Sequence, residues 1–421
     1  MNEIIRKIEK PDQITAAAHE LRRVLGAREI TPSETLDIFE RWADALGRVD
    51  QSAIAGVTFL RLWLRRNTLE PVIVRELGRG ALHGNWTEDG RTELKAYPVG
   101  IVGHWPAGNI DIQPVLSMTC ALLGGNACLV RIPRDLEEQT RRLIAALVEV
   151  DTNSVLSSRA RLLVFGHEHD DLQRAMAESV DGAMIWGGEE AVAQVRSLPF
   201  PHWARIAVFG PRTSVAAVDA SSWSDVEGRE SLCRRIARDV WQFDQQACSS
   251  PQVLFVEKQN GDSTSPFIQA LRAAFDAENR VHRREKMEAS TASAICRARA
   301  AWLTADETHD AVFSSGPDWT ILVGAGTQMP EPTEGRTLAV LQVPDLVEAV
   351  ATLDSSVQTL GLAVADAGRE AVIASIAASR GVDRVVPLGR MHVFAPPWDG
   401  MDLIRTMVRM VRHVRSAGKG E

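Results

Sequence analysis

The strongest periodic signal in the chain is a helix-spaced apolar stripe that runs into a polar loop and then into a short, continuously apolar run. Leu232, Ile236 and Val240, with Cys233, Ala237 and Trp241 beside them, predict one buried helix face, and Arg234, Arg235 and Arg238 point outward. Ser224 and Glu227, three residues apart, predict a capping-box start for that helix. Val253-Leu254-Phe255-Val256, rich in β-branched and aromatic residues, predicts a buried strand. Between the two lies Phe243-Asp244-Gln245-Gln246-Ala247-Cys248-Ser249-Ser250-Pro251-Gln252, which places Cys248 in a loop between packed elements.

Upstream, residues 14–81 read as helices with polar breaks near 31–33 and 65–67. Thr31, Pro32 and Glu34 form a helix start, followed by the apolar face Leu36, Phe39, Trp42, Ala43, Leu46. The Asp89-Gly90 pair predicts a hairpin turn within 83–96. Residues 98–103 read as a strand, 105–109 as a loop, 110–123 as a helix stopped by Gly124-Gly125-Asn126, and 127–132 as a second strand. This strand, helix, strand order predicts a parallel sheet with helices on its faces. The alternation continues with a helix over 136–150, strands at 161–165 and 182–186, and a helix through Arg196. Strand-like runs at 204–208 and 214–218 follow. Beyond Cys248 come a polar linker (258–266), helices to about Leu303, strands at 319–323, 338–341 and 360–364, and a helix over 345–354, a second α/β layer. The last stretch, 384–421, contains Trp398-Asp399-Gly400 and reads as ending in a basic helix with a frayed tail.

At 421 residues the chain exceeds one core and predicts two or three domains. Its net charge of −8 argues against a general nucleic-acid or membrane-surface binder. Five cysteines without CxxC spacing, and no histidines at zinc-ligand intervals, suggest neither a disulfide framework nor a structural metal, and a reducing cytoplasm fits best. The N-terminal 13 residues lack an apolar signal core, and no apolar run approaches the length of a membrane span.

Two stretches carry candidate chemistry. A cysteine held by rigid flanks can act as a nucleophile through its thiolate, although a free cysteine is more often a small buried hydrophobe. Gly187-Gly188 lies between a strand and a helix start, where backbone amides can face a phosphate; two such glycines are also ordinary turn residues, and Glu189 and Glu190 put negative charge nearby. No GxGxxG fingerprint follows any of the strands.

Three stretches together resemble the aldehyde dehydrogenase superfamily, and within it the acyl-CoA reductase branch of bacterial bioluminescence. They are Pro98-Val99-Gly100-Ile101-Val102-Gly103-His104-Trp105-Pro106-Ala107-Gly108-Asn109, the Phe243 to Gln252 string, and Val357-Gln358-Thr359-Leu360-Gly361-Leu362-Ala363; Trp398-Asp399-Gly400 adds to the likeness. The resemblance implies an aldehyde dehydrogenase-like α/β fold: a Rossmann-like cofactor domain with N-terminal helices (1–211), a catalytic domain (212–395) and a C-terminal segment (396–421), with the active site in the cleft between the two α/β domains. It implies that Cys248 is the nucleophile that forms a thioester, and that Asn109 with the backbone amide of Cys248 stabilises the oxyanion. Arg131 falls where the family usually has a lysine on the adenosine ribose. An arginine fork also suits a 2′-phosphate, which leans the cofactor to NADP(H), with NAD(H) the alternative. Gly187 and Gly188 fall beside the pyrophosphate, and Trp105 and Pro106 join the cofactor-binding set.

One departure from the family is informative. Hydrolytic aldehyde dehydrogenases have a glutamate that activates water, and here that position is Val208. Without a general base, water attack is slower by about two to four powers of ten, whereas a thiol still exchanges with the thioester. The implied reaction is reduction of a fatty acyl thioester, from coenzyme A or a carrier, to the aldehyde with NAD(P)H. The alternatives are an acyl-transfer or carrier subunit lacking reductase activity, and a hydrolytic aldehyde dehydrogenase. Glu331 and Glu334 lie near the position of the family's nicotinamide-ribose glutamate without matching it cleanly. His104 and His202 receive no catalytic role. An acyl-protein synthetase is a candidate partner, and a cytoplasmic homo-oligomer without nucleic acid or membrane span is expected.

Overall fold

The computed structural model describes residues 4–50, 54–89, 92–258, 264–284 and 287–414. The chain divides into two compact units, residues 1–210 with 396–421, and residues 211–395.

In the first unit, strand β1 (Ile5–Lys7) precedes helices α1 (Pro11–Ala27), α2 (Pro32–Leu46), α3 (Val57–Trp63) and α4 (Arg66–Leu77). The Thr31 hydroxyl accepts from the Glu34 amide while the Glu34 carboxylate accepts from the Thr31 amide, the reciprocal cap that the sequence predicts for α2. Leu36, Phe39, Trp42, Ala43 and Leu46 are all buried, as their spacing requires. Strands β2 (Thr87–Asp89) and β3 (Thr92–Pro98) pair antiparallel; Gly90, on which the expected turn rests, lies outside the described residues. Then come β4 (Ile101–Trp105), α5 (Gln113–Leu123), β5 (Ala127–Ile132), α6 (Glu137–Val150), β6 (Ala160–Val164), α7 (Asp170–Glu178), β7 (Gly182–Trp186), α8 (Glu189–Arg196) and β8 (Arg205–Phe209). Six strands form a parallel sheet in the order β1-β6-β5-β4-β7-β8.

The run 98–103 is not one strand. Pro98 closes β3, and Gly100 at φ +134° turns the chain into a different sheet, with the Asp181 carboxylate filling the space a Cβ would need. β4 therefore starts at Ile101 and runs on through Trp105.

The second unit comprises β9 (Thr213–Val218), α9 (Val226–Trp241), β10 (Pro251–Glu257), α10 (Ser265–Val281), α11 (Ala289–Ala305), β11 (Asp310–Phe313), β12 (Thr320–Ala325), β13 (Thr337–Val343), α12 (Leu346–Val350), β14 (Val357–Ala363), α13 (Ala367–Ser379) and β15 (Arg384–Pro387). Its seven-stranded sheet has the order β11-β12-β13-β10-β9-β14-β15, parallel except for β11 on β12. The runs at 204–208 and 214–218 thus become β8 and β9, which belong to different sheets. Successive residues of the central strands alternate between two cores: Ala216, Val218, Leu254 and Val256 face one with α9 and α10, while Val215, Ala217, Val253 and Phe255 face the other with α12 and α13. Burial on both faces explains why β10 reads as an unbroken apolar run.

Two expectations fail here. The α9 cap is Asp225, whose carboxylate accepts from the Gly228 amide; Ser224 sits one residue too early and instead donates to the Ser221 carbonyl. The basic C-terminal stretch is a strand, β16 (Val408–Val414), paired antiparallel with β3, so the sheet reads β16-β3-β2. Val408, Val411 and Val414 favour the extended chain, and seven residues of pairing with β3 override the helix-like basic pattern. Residues 415–421, the expected frayed tail, and 259–263 of the polar linker lie outside the described residues.

Candidate active site

In the first sheet the chain passes from β4 outward to β5 and β6, then lays β7 on the other side of β4. Open parallel sheets bind ligands outside the carboxyl ends of their strands at such a reversal. β4 leads into Pro106, Ala107, Gly108 and Asn109, and β7 leads into Gly187 and Gly188. Asn109 is exposed. Gly188 is the N-cap residue of α8, and a Cβ built there would meet nothing within 4 Å, so the turn presents open backbone. Glu189 and Glu190 are exposed in the first turn that follows.

Arg131 is the penultimate residue of β5, beside β4. Its guanidinium lies 6.0 Å from the centroid of the Phe165 ring, and its Nε is buried with no hydrogen-bond partner. Burial holds its pKa below the usual arginine value, with Glu168 pulling the other way. An under-satisfied buried guanidinium is costly unless an acceptor completes it, so this residue fits a ribose hydroxyl or phosphate.

Trp105 does not offer its side chain to a cofactor. Its indole is 1% exposed, donates to Gln173 Oε1 at 2.7 Å and packs edge-on against Phe200, so the side chain belongs to the core. Pro106 is also buried and has no N–H to donate. His104 is a core residue as well: Nδ1 meets Ser117 Oγ at 2.7 Å, and burial pushes its pKa down to about 3. His202 stacks edge-on with the exposed Trp203.

The second unit holds Cys248 at the amino-terminal edge of its sheet, three residues before β10. The loop leaves α9 through three consecutive left-handed residues, Phe243, Asp244 and Gln245, with φ of 55°, 54° and 64°. Such residues cost about 1–2 kcal/mol each, and the polar side chains of the motif supply the compensation. Arg284 donates twice to Asp244, at 2.8 Å each, and Arg336 donates once at 2.6 Å while lying over the Trp241 ring. Gln245 is fully buried: its amide donates to the carbonyls of Pro251 and Thr337 and its Oε1 accepts from the Thr337 amide. Gln252 closes the loop by donating to the Gln245 carbonyl.

On either side of the sulfur the chain is pinned. Ser214 on β9 donates to the Cys248 carbonyl at 2.6 Å. The next residue, Ser249, is hydrogen-bonded to His392 Nδ1 at 2.9 Å, and His392 Nε2 meets the Asp239 carbonyl at 2.7 Å. Because that carbonyl can only accept, Nε2 carries the proton and the Ser249 hydroxyl donates to Nδ1. Burial pushes the His392 pKa down to about 4, which keeps the ring neutral. Cys248 itself is half-buried, and its Sγ accepts from Gln358 Nε2 at 3.1 Å. The other cysteines contrast with it: Cys120, Cys128 and Cys233 are buried thiols whose pKa burial pushes upward, to about 12 for Cys233. All five are free. Val208 lies within β8 and packs on the core of the first unit.

These units, one a parallel sheet with an open glycine turn and the other a sheet with a cysteine loop at its amino edge, are those of an aldehyde dehydrogenase fold. The chain superposes on a putative aldehyde dehydrogenase from Burkholderia cenocepacia with a TM-score of 0.68 at 15% identity, covering 97% of this chain and 93% of that one. It superposes on an NAD-dependent aldehyde dehydrogenase from Sinorhizobium meliloti with a TM-score of 0.70 at 14% identity, covering 98% and 88%. Residues 33–410 match the family described as acyl-CoA reductase (LuxC), and the chain belongs to that family. It is 24% identical over 396 residues to the long-chain acyl-protein thioester reductase of Aliivibrio fischeri, covering 92% of this chain and 78% of that protein, and 24% identical over 356 residues to that of Vibrio harveyi, covering 83% and 72%. The protein is therefore an oxidoreductase that reduces an acyl thioester to an aldehyde, and fold and family imply a nicotinamide cofactor. Among the described residues no helix is long and apolar enough to cross a membrane.

Reading the sequence did not reveal Gln358, Arg384, His392 or the Asp244 clamp as parts of this site. Asp244 and Gln358 lie within motifs that the sequence marks out, and that membership was the available signal.

Proposed function

We propose that the protein reduces a long-chain fatty acyl thioester, carried by coenzyme A or by a protein, through an acyl-enzyme on Cys248 with NADPH as reductant. The observation that carries this reading is the half-buried sulfur of Cys248, held on a rigidly pinned loop with an amide donor at 3.1 Å. The Cys248 thiolate attacks the acyl carbonyl, the S–C bond forms, and the donor thiol leaves with a proton. A nicotinamide, when bound, would supply the hydride that the thioester carbonyl carbon accepts. The resulting thiohemiacetal breaks its C–S bond, releasing aldehyde and returning the electron pair to Cys248. Asn109 and the Cys248 backbone amide serve the oxyanion. Val208 offers no base to water, which leaves the acyl group for reduction or return to a thiol.

Arg131 supports NADPH over NADH, since its buried, unpartnered Nε gains most from a phosphate oxygen. The backbone around Gly187 and Gly188 would face the pyrophosphate. An acyl-protein synthetase as donor, assembly as a homo-oligomer and a cytoplasmic setting complete the reading. The test is a mixture of protein, fatty acyl-CoA and NADPH, with cofactor absorbance and aldehyde followed together. Loss of absorbance matched by aldehyde is expected, with NADPH preferred and the preference lost in Arg131→Ala. Unchanged cofactor at every chain length in a folded sample would overturn the proposal, and saturable NADPH binding rules out a subunit that only carries acyl groups.

A further inference from the structure

We propose that Gln358 is a catalytic residue that stabilises the Cys248 thiolate, at the end of a one-directional hydrogen-bond chain that begins at the buried guanidinium of Arg384; this rests on Cys248 being the nucleophile. Gln358 is fully buried at the second position of β14. The pairing of β14 with β9 shifts register between Val357 and Thr359, so Gln358 is the extra residue of a bulge. Bulges re-aim a side chain out of the regular alternation, and here the side chain reaches Sγ with Nε2 at 3.1 Å.

The orientation of the amide follows from its neighbours. Arg384 Nη1 donates to Thr359 Oγ1 at 3.1 Å, and the Thr359 hydroxyl donates to Gln358 Oε1 at 3.3 Å. With Oε1 so engaged, the NH₂ group is the end that meets the sulfur. Every bond runs the same way, from guanidinium through hydroxyl and amide to sulfur, and bonds aligned in this manner polarise one another. Arg384 is fixed at the head of the chain by donating to the carbonyls of Met391 and Val393. The charged and titratable groups around the loop and Gln358 include Asp244 on the preceding turn with its partners Arg284 and Arg336, Asp239 on α9, Arg212 just before β9 with its partner Asp383 just before β15, Arg384 on β15, and His392 beyond β15; Arg212 donates to the Val357 carbonyl and the Asp383 amide to the Gln358 carbonyl. Of these, Arg384 connects to the sulfur through Thr359 and Gln358.

A donor aimed at sulfur favours the thiolate over the thiol, and the thiolate is the attacking form. The same donor assists twice in one turnover. It holds the thiolate before attack, and it stabilises the thiolate that re-forms when the thiohemiacetal C–S bond breaks and its electron pair returns to sulfur. In the intervening thioester, sulfur carries little charge, so the contact is stronger in the states that bracket the acyl-enzyme, as catalysis by differential binding requires. Arg384 and Thr359 act through Gln358 and are positioning residues.

The test is the pH dependence of Cys248 alkylation by iodoacetamide, read as mass gain on the Cys248 peptide of the full chain, in wild type, Gln358→Leu, Gln358→Glu and Thr359→Val. The expected result is a higher midpoint in all three variants, with about tenfold slower alkylation of Gln358→Leu at pH 7, a larger loss in Gln358→Glu and a smaller one in Thr359→Val. Above the midpoint all rates should converge on the wild-type plateau, which a merely misplaced loop would not do. Thr359→Val keeps the test alive if the Gln358 variants fail to fold, because valine preserves the volume on β14. Profiles superimposable on wild type would overturn the inference. Acylation of wild-type Cys248 by palmitoyl-CoA is measured in parallel: its absence defeats the reading of Cys248 as nucleophile, while acylation with unshifted profiles defeats only the role of Gln358.

Discussion

Removing the Asp244 carboxylate should destabilise the unit that carries Cys248 and loosen the cysteine loop, because this one side chain holds two buried arginines on a left-handed turn. In Asp244→Ala three charge-assisted hydrogen bonds are lost, two from Arg284 at 2.8 Å and one from Arg336 at 2.6 Å. Breaking a fully buried pair costs about 3–5 kcal/mol, because the remaining charge stays desolvated. The guanidinium side chains are 8% and 7% exposed but the carboxylate is 35% exposed, so water screens part of the interaction and about 3 kcal/mol is expected. For a unit of residues 211–395 that loss lowers Tm by about 6–12 °C. Asp244→Asn keeps an acceptor and the tolerance for φ near 54° but loses the charge, so it should fall between alanine and wild type. Denaturant unfolding with calorimetry measures the first effect, and the rate of Cys248 alkylation at saturating pH measures the second, which should rise as the loop gains freedom. If both variants stay within about 0.5 kcal/mol of wild type with unchanged alkylation, the turn is not held by this clamp.

The neighbouring buried pair should show opposed pH dependence. His392 has its pKa lowered by burial from 6.5 to about 4, so the unfolded chain binds the proton first and the histidine contribution, full above pH 6.5, is lost as pH falls toward 4, by about 3 kcal/mol. Asp239 has its pKa raised by burial from 3.8 to about 6, so the folded chain holds the proton longer and stability falls as pH rises between those values, by a similar amount. Wild type should therefore vary little between pH 4 and 6, His392→Phe should lose stability across that window as pH rises, and Asp239→Asn should gain it. Urea titrations at three pH values check this, and parallel slopes in all three proteins would refute the assignment.

Much of the fold was legible because its central strands are buried on both faces. β7 and β10 read as continuous apolar runs closed by glycine or polar turns, β5 as an apolar run interrupted by Arg131, and α2 and α9 as stripes. What escaped was decided by partners distant in sequence. β16 looked helical until seven residues of β3 paired with it. α13 is alanine-rich with only Ile373 and Ala377 buried, so it carries almost no stripe to read. In the site, Cys248 announced itself through its motif. Gln358 lies 110 residues away from it in sequence, and His392 is 143 residues from Ser249. Their convergence depends on β9, β10 and β14 being neighbours, which local pattern does not encode. The indole of Trp105 is likewise committed to distant partners, Gln173 and Phe200, which its place in a family motif does not encode.

The most direct measurement of the central claim is a single-turnover mass experiment on the intact protein. Palmitoyl-CoA alone should add one acyl mass, mapped to the Cys248 peptide and absent in Cys248→Ala, and a chase with NADPH should remove that mass while releasing one equivalent of aldehyde. A protein that folds and binds NADPH yet never carries the acyl group on Cys248, or that releases free fatty acid in the chase, would contradict the account.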